Sequence, residues 1–338
     1  RHLQFRPTNL FSVNKDFSKL TDPNSKRTLM QRGDVLYSTD SSYPIVRDIP
    51  RFVPLDNYAM AFGFQWNLFP RTQLDSYTGL PISEKRLDRC MYGKLPTVSG
   101  KHVLEAGSGA GRFTELLLKH GAFVDSFDFS NAVDANAKNN GKSDKLTLVQ
   151  ADIRHIPFPE AAYDFVVCLG VLQHTPDPEE SICSLWQHVS PGGALIIDHY
   201  RWKIRNFLPP PFGVAGILYR RHFLQVPKEK QFKTVKRVYD FWFPWVWRFR
   251  ESRLAQLVLS RLTPIVNYYP TFGLRDKEMY YEWMLLDTHD AMTDVYKHRR
   301  TLRSIRRTLE ALGAVNIRIG KGGNGIEAYC EKPNSAKD

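Results

Sequence analysis

Three stretches of this chain hold residues whose types and spacing could do chemistry. The first, Val103-Leu104-Glu105-Ala106-Gly107-Ser108-Gly109-Ala110-Gly111-Arg112-Phe113-Thr114, sets alternate glycines between an apolar run and an amphipathic one. Glycine permits a tight turn and the close approach of a ligand, and the start of the following helix offers unpaired N–H groups. The Gly-x-Gly-x-Gly spacing differs from the Gly-x-Gly-x-x-Gly of pyrophosphate-binding folds, and no Gly-Lys-Ser/Thr follows to hold a triphosphate. The second stretch supplies two acids. Asp128 ends an apolar run 21 residues after Gly107, where a carboxylate can accept hydrogen bonds from ribose hydroxyls. Asp152, in Gln150-Ala151-Asp152-Ile153, could accept from an adenine amino group beside an apolar side chain. Either acid alone would serve equally well as a helix cap; their order behind the glycines argues for a ligand. The third group is His174, His199-Tyr200 and His289-Asp290. An imidazole titrates near neutral pH and could take a proton from an acceptor, or simply order its loop.

The elements that must position these residues follow from periodicity. From Gly100 a strand around 103–104 leads to a helix over 113–120, in which Phe113, Leu116 and Leu117 recur at i, i+3 and i+4. A strand at 122–128, a polar helix at 131–139 and strands at 145–151 and 163–169 come next. Pro178 opens a helix over 179–189, Pro191-Gly192-Gly193 ends it, and a strand covers 194–200. The alternation resumes with a helix at 301–312 stopped by Gly313, then a hairpin of 315–319 and 326–330 around a turn at 320–325. Strands alternating with helices predict an α/β fold with a largely parallel sheet covered on both faces, and ligands at the strands' C-terminal ends.

The ordered set closely resembles class I S-adenosylmethionine-dependent methyltransferases. It comprises the glycine loop, Asp128, Ala151-Asp152-Ile153, Tyr163-Asp164-Phe165-Val166-Val167 with Val171-Leu172-Gln173-His174, and Leu185 through Pro191-Gly192-Gly193. The resemblance covers residues 100–200 and 301–332 and implies a Rossmann-like seven-stranded sheet whose last strand is antiparallel. It also implies S-adenosyl-L-methionine as cofactor. Gly107, Ser108 and Gly109 would pass its methionyl and ribose parts, and Asp128 would hold the ribose hydroxyls. Phe129 would lie against adenine, Asp152 and Ile153 would bind it, and Leu169 would offer its backbone to the methionyl ammonium. Glu105 would act indirectly, by orienting the loop. For the chemistry, His174, His199 and Tyr200 are the candidates on the ligand edge. Amino-directed nucleic-acid enzymes often carry Asn/Asp-Pro-Pro-Tyr/Phe after strand four, and Leu169-Gly170-Val171-Leu172 stands here instead.

Outside the core, Phe62-Gly63-Phe64-Gln65-Trp66-Asn67 and Thr72-Gln73-Leu74-Asp75 resemble the segment ahead of the core in bacterial methyltransferases of small-molecule and glycan pathways. This arm would either pack on the core or cover the cofactor with Arg71 or a glutamine. Residues 33–53 are similar to a zinc-ribbon-like module without its cysteines, so no metal is expected there. The expected organisation is an arm over 1–60, a core over 61–205 and 300–333, and a mainly helical cap inserted at 206–299.

Charge separates that insertion from the rest. The chain holds 47 Lys and Arg against 35 Asp and Glu, and ten of its twelve excess positive charges fall within residues 201–260. The same sixty residues carry thirteen of 43 aromatics, including Phe241-Trp242-Phe243-Pro244-Trp245-Val246-Trp247-Arg248-Phe249-Arg250. The aromatics could form a lid core, an anionic-membrane contact or a nucleic-acid surface. An anionic, glycan-linked or lipid-linked acceptor is favoured over RNA, since no RNA-binding module accompanies the core. Cys90, Cys168, Cys183 and Cys330 form no Cys-x-x-Cys pair, which fits a reducing cytosol. No apolar run reaches the ~18 residues of a membrane span, and the start of the chain has no signal-peptide core. The expected function is methyl transfer to oxygen or nitrogen of a small-molecule, sugar or lipid-linked acceptor, in the cytoplasm or at the membrane surface. An RNA methyltransferase and a noncatalytic cofactor-binding scaffold are the alternatives.

Overall fold

The computed structural model describes residues 16–334 except 55, 56, 58, 209, 211, 214 and 270; the start of the expected arm, 1–15, lies outside the described residues. Residues 30–50 form an antiparallel meander of β1 (Met30–Arg32), β2 (Val35–Tyr37), β3 (Ser42–Val46) and β4 (Ile49–Pro50). Three helices lead into the core: α1 (Met60–Leu68), α2 (Asp75–Thr78) and α3 (Ile82–Cys90). The core then runs β5 (His102–Ala106), α4 (Arg112–Lys119), β6 (Phe123–Asp128), α5 (Val133–Asn140), β7 (Leu146–Gln150), β8 (Tyr163–Cys168), α6 (Pro178–His188) and β9 (Val189–His199). The cap holds α7 (Gly216–Phe223), α8 (Lys228–Arg248), α9 (Arg253–Leu262) and α10 (Lys277–Thr293), and the chain closes with α11 (Leu302–Ala311), β10 (Val315–Gly322) and β11 (Gly325–Glu331).

The main sheet has seven strands in the order β10-β11-β9-β8-β5-β6-β7. Strands β5 to β9 are parallel, and β11, last in the chain, slots antiparallel between β9 and β10. Strand order reverses between β5 and β8, which opens a crevice beyond their C-terminal ends. The strands are apolar on both faces, as a sheet covered on both sides requires. Leu104, Phe127, Val149, Val166 and Leu195 pack under α6, α11 and the N-terminal meander. Val103, Val124, Leu148, Val167 and Ile196 pack under α3, α4 and α5.

Two local expectations change. Pro191-Gly192-Gly193 does not end α6, which stops at His188; it lies inside β9, where pairing with β8 slips between Tyr163↔Val189 and Phe165↔Ala194. Gly192 takes φ +78°, and a Cβ on Gly193 would stand 2.8 Å from the Tyr163 carbonyl oxygen, so the triplet makes a bulge. In the hairpin, 320–322 continue the ladder and only Gly323-Asn324 turn, because Gly322 already pairs with Gly325.

The aromatic run of α8 divides by helical phase. Phe243 and Val246 are buried with Tyr239, Tyr280 and Trp283, forming a cap core against α10, whereas Phe241, Trp245 and Phe249 are exposed. No helix among the described residues is long and apolar enough to cross a membrane.

Arg51 ties the meander to the core. Its guanidinium is buried, donates to Asp134 Oδ1 at 2.7 Å and to Gln150 Oε1 at 3.1 Å, while Arg47 reaches the same carboxylate at 3.5 Å from an exposed position. Removing one member of a buried pair leaves the other charge uncompensated. Arg51→Ala should therefore lower the unfolding free energy by about 3 kcal/mol in urea titrations. Arg47→Ala should change it by under ~0.5 kcal/mol, as exposed pairs do.

Candidate functional site

The chain turns sharply at the end of β5. Gly107, Gly109 and Gly111 adopt φ +74°, +54° and +87°, and a Cβ on Gly107 or Gly111 would lie 2.2 Å from Val171 or from Asn136 Oδ1. The Gly107 and Ser108 N–H groups both donate to the Phe127 carbonyl oxygen, binding the loop to β6. The Gly109 N–H donates to Asp128 Oδ2 at 2.9 Å, and the Ser130 N–H and hydroxyl donate to Oδ1. Burial raises the Asp128 carboxyl above its ordinary value while these donors oppose the shift. The polar α5 braces the loop from outside: Asn139 donates to the Ala110 and Pro70 carbonyls, and Asn140 to that of Gly111.

A cavity of about 370 Å³ opens beyond this loop, within the size range of small-ligand pockets. Gly107, Ser108, Gly109, Asp128, Phe129, Asp152, Ile153 and Leu169 all line it, as do His174 and Tyr200. Asp152 is held by the Arg154 guanidinium at 2.7 Å.

Two expected residues lie elsewhere. Glu105 is buried beneath the loop, where Oε2 accepts from Thr114 and Ser126, and it does not line the cavity. His199 also does not line it. Side chains alternate along a strand, so Asp198 turns toward Arg86 and Gly170 while His199 faces the other way. Its Nδ1 lies 3.3 Å from the Tyr200 carbonyl oxygen, and burial drives the imidazole down to about 4. The arm covers the cavity through Trp66 of α1 together with Pro70, Gln73 and Leu74. Arg71 instead sits over the Tyr77 ring, and Gln65 pairs with His289.

The far wall contains Asp290 of the expected His289-Asp290 pair, joined there by Asp287, Tyr268 and Arg86, to which sequence reading gave no role. Helix α10 and its C-terminal cap present Asp287, Asp290 and Asp294 at i, i+3 and i+7, a spacing that puts three carboxylates on one helical face. Asp287 accepts from Gln73 Nε2 at 2.9 Å, and burial raises its carboxyl despite nearby Tyr268 and Arg112. Asp290 lines the cavity with Oδ1 buried and without a hydrogen-bond partner in the protein. Burial pushes Asp290 up to about 6, against a lowering influence from His174. Asp294 sits behind it, receiving Arg220 at 2.9 Å, Lys297 at 2.9 Å and His174 Nδ1 at 3.3 Å. Burial alone would lower the His174 pKa, but Asp290 and Asp294 outweigh it and raise it. Tyr200 meets the His174 ring edge-on at 5.4 Å, and burial keeps its phenol protonated.

Arg86 and Arg112 complete the wall. Arg86 pairs with Asp198, whose other oxygen accepts the Gly170 N–H, and the hairpin turn sends Asn324 to the same carboxylate. Arg112 follows the last loop glycine, donates to Gln73 Oε1 and is lowered to about 10 by burial and by Arg86. Ser108 Oγ and both polar atoms of Gln173 are buried at the cavity wall without partners in the protein. Buried polar groups without partners cost free energy, so these atoms, with Asp290 Oδ1, mark where a polar ligand would bond. The set fits an amino-acid nucleoside: ribose acceptors at Asp128, an apolar and acidic purine site at Phe129, Asp152 and Ile153, and polar groups beyond.

A family profile described as a methyltransferase domain matches residues 104–197. The ubiquinone biosynthesis O-methyltransferase of Coxiella burnetii (strain RSA 493 / Nine Mile phase I) is 33% identical over 125 residues, 36% of this chain and 52% of that protein. The Vibrio vulnificus (strain YJ016) protein of the same name is 32% identical over 140 residues, 40% of this chain and 57% of its own. The chain thus spans a little over half the length of these relatives. An S-adenosylmethionine-dependent methyltransferase structure from Mesorhizobium loti superposes over 72% of this chain and 98% of its own at TM-score 0.42 and 16% identity.

Burial pushes the Glu105 carboxyl up to about 7 from an ordinary 4.5, against the Thr114 and Ser126 hydrogen bonds. The folded chain therefore holds a proton that the unfolded chain has lost, and stability falls as pH rises through that window. The loss amounts to about 3 kcal/mol. Glu105→Gln should flatten this slope, read as the difference between variant and wild-type urea unfolding free energies at successive pH values.

Proposed function

From the class I S-adenosyl-L-methionine-dependent methyltransferase core that residues 104–197 constitute, we propose that this chain O-methylates a small hydroxyl-bearing acceptor, free or lipid-linked. The observation that carries the reading is the unpartnered buried carboxylate oxygen of Asp290 on the cavity wall, beside His174 and Tyr200. S-adenosyl-L-methionine, when bound, supplies an electrophilic methyl carbon on a sulfonium. Gly107, Ser108 and Gly109 would pass its backbone portion, Asp128 the ribose, Phe129, Asp152 and Ile153 the purine, and the Leu169 backbone the methionyl end.

The remaining work falls to the chain's own side chains. A hydroxyl acceptor must lose its proton as the new bond forms, and a base close to neutral pKa is suited to take it. Asp290 holds such a value, and His174 beside it can share or pass on the proton. The two titrate as a coupled pair, so the activity limb belongs to the pair. Tyr200 stays protonated and would be free to donate a hydrogen bond to the acceptor oxygen. Trp66 and Gln73 of the arm, with Val266 and Tyr268 of the cap, close the cavity around the reacting groups and exclude water. The curated relatives are named for O-methylation in ubiquinone biosynthesis, which supports an oxygen acceptor.

Two measurements test this reading. Asp128→Ala should weaken S-adenosylhomocysteine binding about a hundredfold by titration calorimetry, with the circular dichroism spectrum unchanged, since two or more charge-assisted hydrogen bonds are lost. Unchanged affinity would remove the cofactor assignment. With a panel of phenols and catechols, release of S-adenosylhomocysteine should rise with pH through about 6 and then level off. Asp290→Asn should cut kcat about 10²- to 10⁴-fold while leaving S-adenosylhomocysteine affinity intact. Binding without turnover on any hydroxyl acceptor would sink the enzymatic reading in favour of a scaffold.

A further inference from the structure

Among the described residues, fourteen of the twenty-three exposed large hydrophobic side chains lie between Trp202 and Leu262. They are not scattered. Helix α9 buries none of its residues, and Leu254, Leu257, Val258 and Leu262 are 78%, 56%, 57% and 49% exposed. Their spacing of i, i+3, i+4 and i+8 draws one aliphatic stripe along the helix, while Gln256 and Leu259 are turned inward. On α8, Phe241, Trp245 and Phe249 recur at i, i+4 and i+8 and are likewise exposed. The two helices are joined by residues 249–252 and tied together by hydrogen bonds, in part through α7. Gln256 donates to the Val246 and Phe249 carbonyls, Tyr219 to that of Leu262, and Trp242 to the Tyr219 hydroxyl. Arg261 pins the loop at Gly213, next to Phe212, which is 77% exposed.

Basic residues border both stripes. Arg248 and Arg253 flank the turn between the two helices and Arg221 stands on the adjacent α7, whereas Arg250 lies over the Trp247 and Tyr269 rings beside Glu251 and Arg261 donates to the Gly213 carbonyl. The arrangement inverts an ordinary surface helix, whose apolar side faces the core.

We propose that the α8–α9 pair is a docking face for an anionic lipid bilayer, with its Leu, Val, Phe and Trp side chains entering the interface and its arginines meeting lipid phosphates. An amphipathic helix with a basic border lies in the interface plane by burying its apolar face, and tryptophan favours the headgroup boundary. Basic residues add attraction to an anionic leaflet. A second copy of the chain fits less well, because a twofold contact would press each arginine cluster near its own image. Single-stranded nucleic acid fits less well too, since stacking would engage only Phe241, Trp245 and Phe249 and leave the aliphatic α9 stripe without a partner. The proposal stands apart from methyl transfer, because none of these side chains lines the cavity.

The test is co-sedimentation of the full chain with vesicles of phosphatidylcholine alone and with phosphatidylglycerol making up a third of the lipid. Binding should occur to the anionic vesicles and weaken as salt is raised. Leu254→Asp/Leu257→Asp should lower the partition coefficient about tenfold or more, and so should Arg248→Glu/Arg253→Glu. Both variants should retain wild-type affinity for S-adenosylhomocysteine, which shows that they fold. Failure to bind anionic vesicles overturns the proposal, as does binding that neither variant affects. A wild-type dimer in sedimentation equilibrium that Leu254→Asp/Leu257→Asp converts to monomer would assign the face to self-association and overturn it equally. Because cofactor affinity and turnover are read separately, failure here is distinguishable from failure of the enzymatic reading.

Discussion

The site depends on how tightly the backbone can turn beyond β5. With Val171 against Gly107 and Asn136 against Gly111, no side chain fits at either position, and all three glycines occupy the left-handed region. That turn aims the Gly109 N–H at Asp128 and brings the loop under the C-terminal end of β6. The strand reversal between β5 and β8 supplies the space, and the loop supplies its floor. The chain secures the turn through a buried polar network. Glu105 accepts from Thr114, Thr114 Oγ1 accepts from Asn136, and Asn140 bridges Asn136 and the Gly111 carbonyl. The polar character of α5, odd for a helix against a sheet, follows from this work: its asparagines satisfy loop carbonyls that would otherwise lack partners.

What could be read from sequence follows locality. Glycines, Asp128, Asp152 and Leu169 occupy fixed places relative to consecutive strands, so periodicity and spacing locate them, and the structure brings all of them to one cavity. The seven strands with an antiparallel last one came instead from the family resemblance that these residues carry, and the sheet has them. Residues of the far wall are not so placed. Arg86 of α3, Tyr268, Asp287 and Asp290 of the cap, and Asn324 of the hairpin turn come together from elements more than two hundred residues apart. Only tertiary packing joins them, and of these Asp290 alone was named from sequence as a candidate. Of the expected His289-Asp290 pair, Asp290 reaches the cavity and His289 does not, and the i, i+3, i+7 spacing of the acids at 287, 290 and 294 is the signal that separates them. His289 faces Gln65, and burial takes its imidazole down to about 4. His199 shows the complementary error: proximity in sequence to the ligand edge says nothing about which face of the strand a residue occupies.

The cap combines two inversions of ordinary polarity. Inward, α10 and its C-cap turn three carboxylates toward the cavity, Asp287 and Asp290 on its wall and Asp294 buried behind, and each is matched by a cation or donor: Gln73 and Arg112 near Asp287, His174 near Asp290, Arg220 and Lys297 on Asp294. Charges so placed are tolerable only in such company, and the desolvation that remains is what lifts Asp290 toward neutrality. Outward, α9 presents leucine and valine where most helices present lysine and glutamate. Each inversion costs free energy in water, and neither is explained by stability. In the proposed function a ligand bonding to Asp290, Ser108 and Gln173 would offset the first, and in the proposed docking an apolar phase outside the protein would offset the second. Both lie on one rigid unit, since α8 and α10 share the Tyr239, Phe243 and Trp283 core and the segment after α9 supplies Val266 and Tyr268 to the cavity. The surface proposed to seat in lipid is thus joined, through a few residues of the cap, to the wall of the chamber proposed to hold the acceptor.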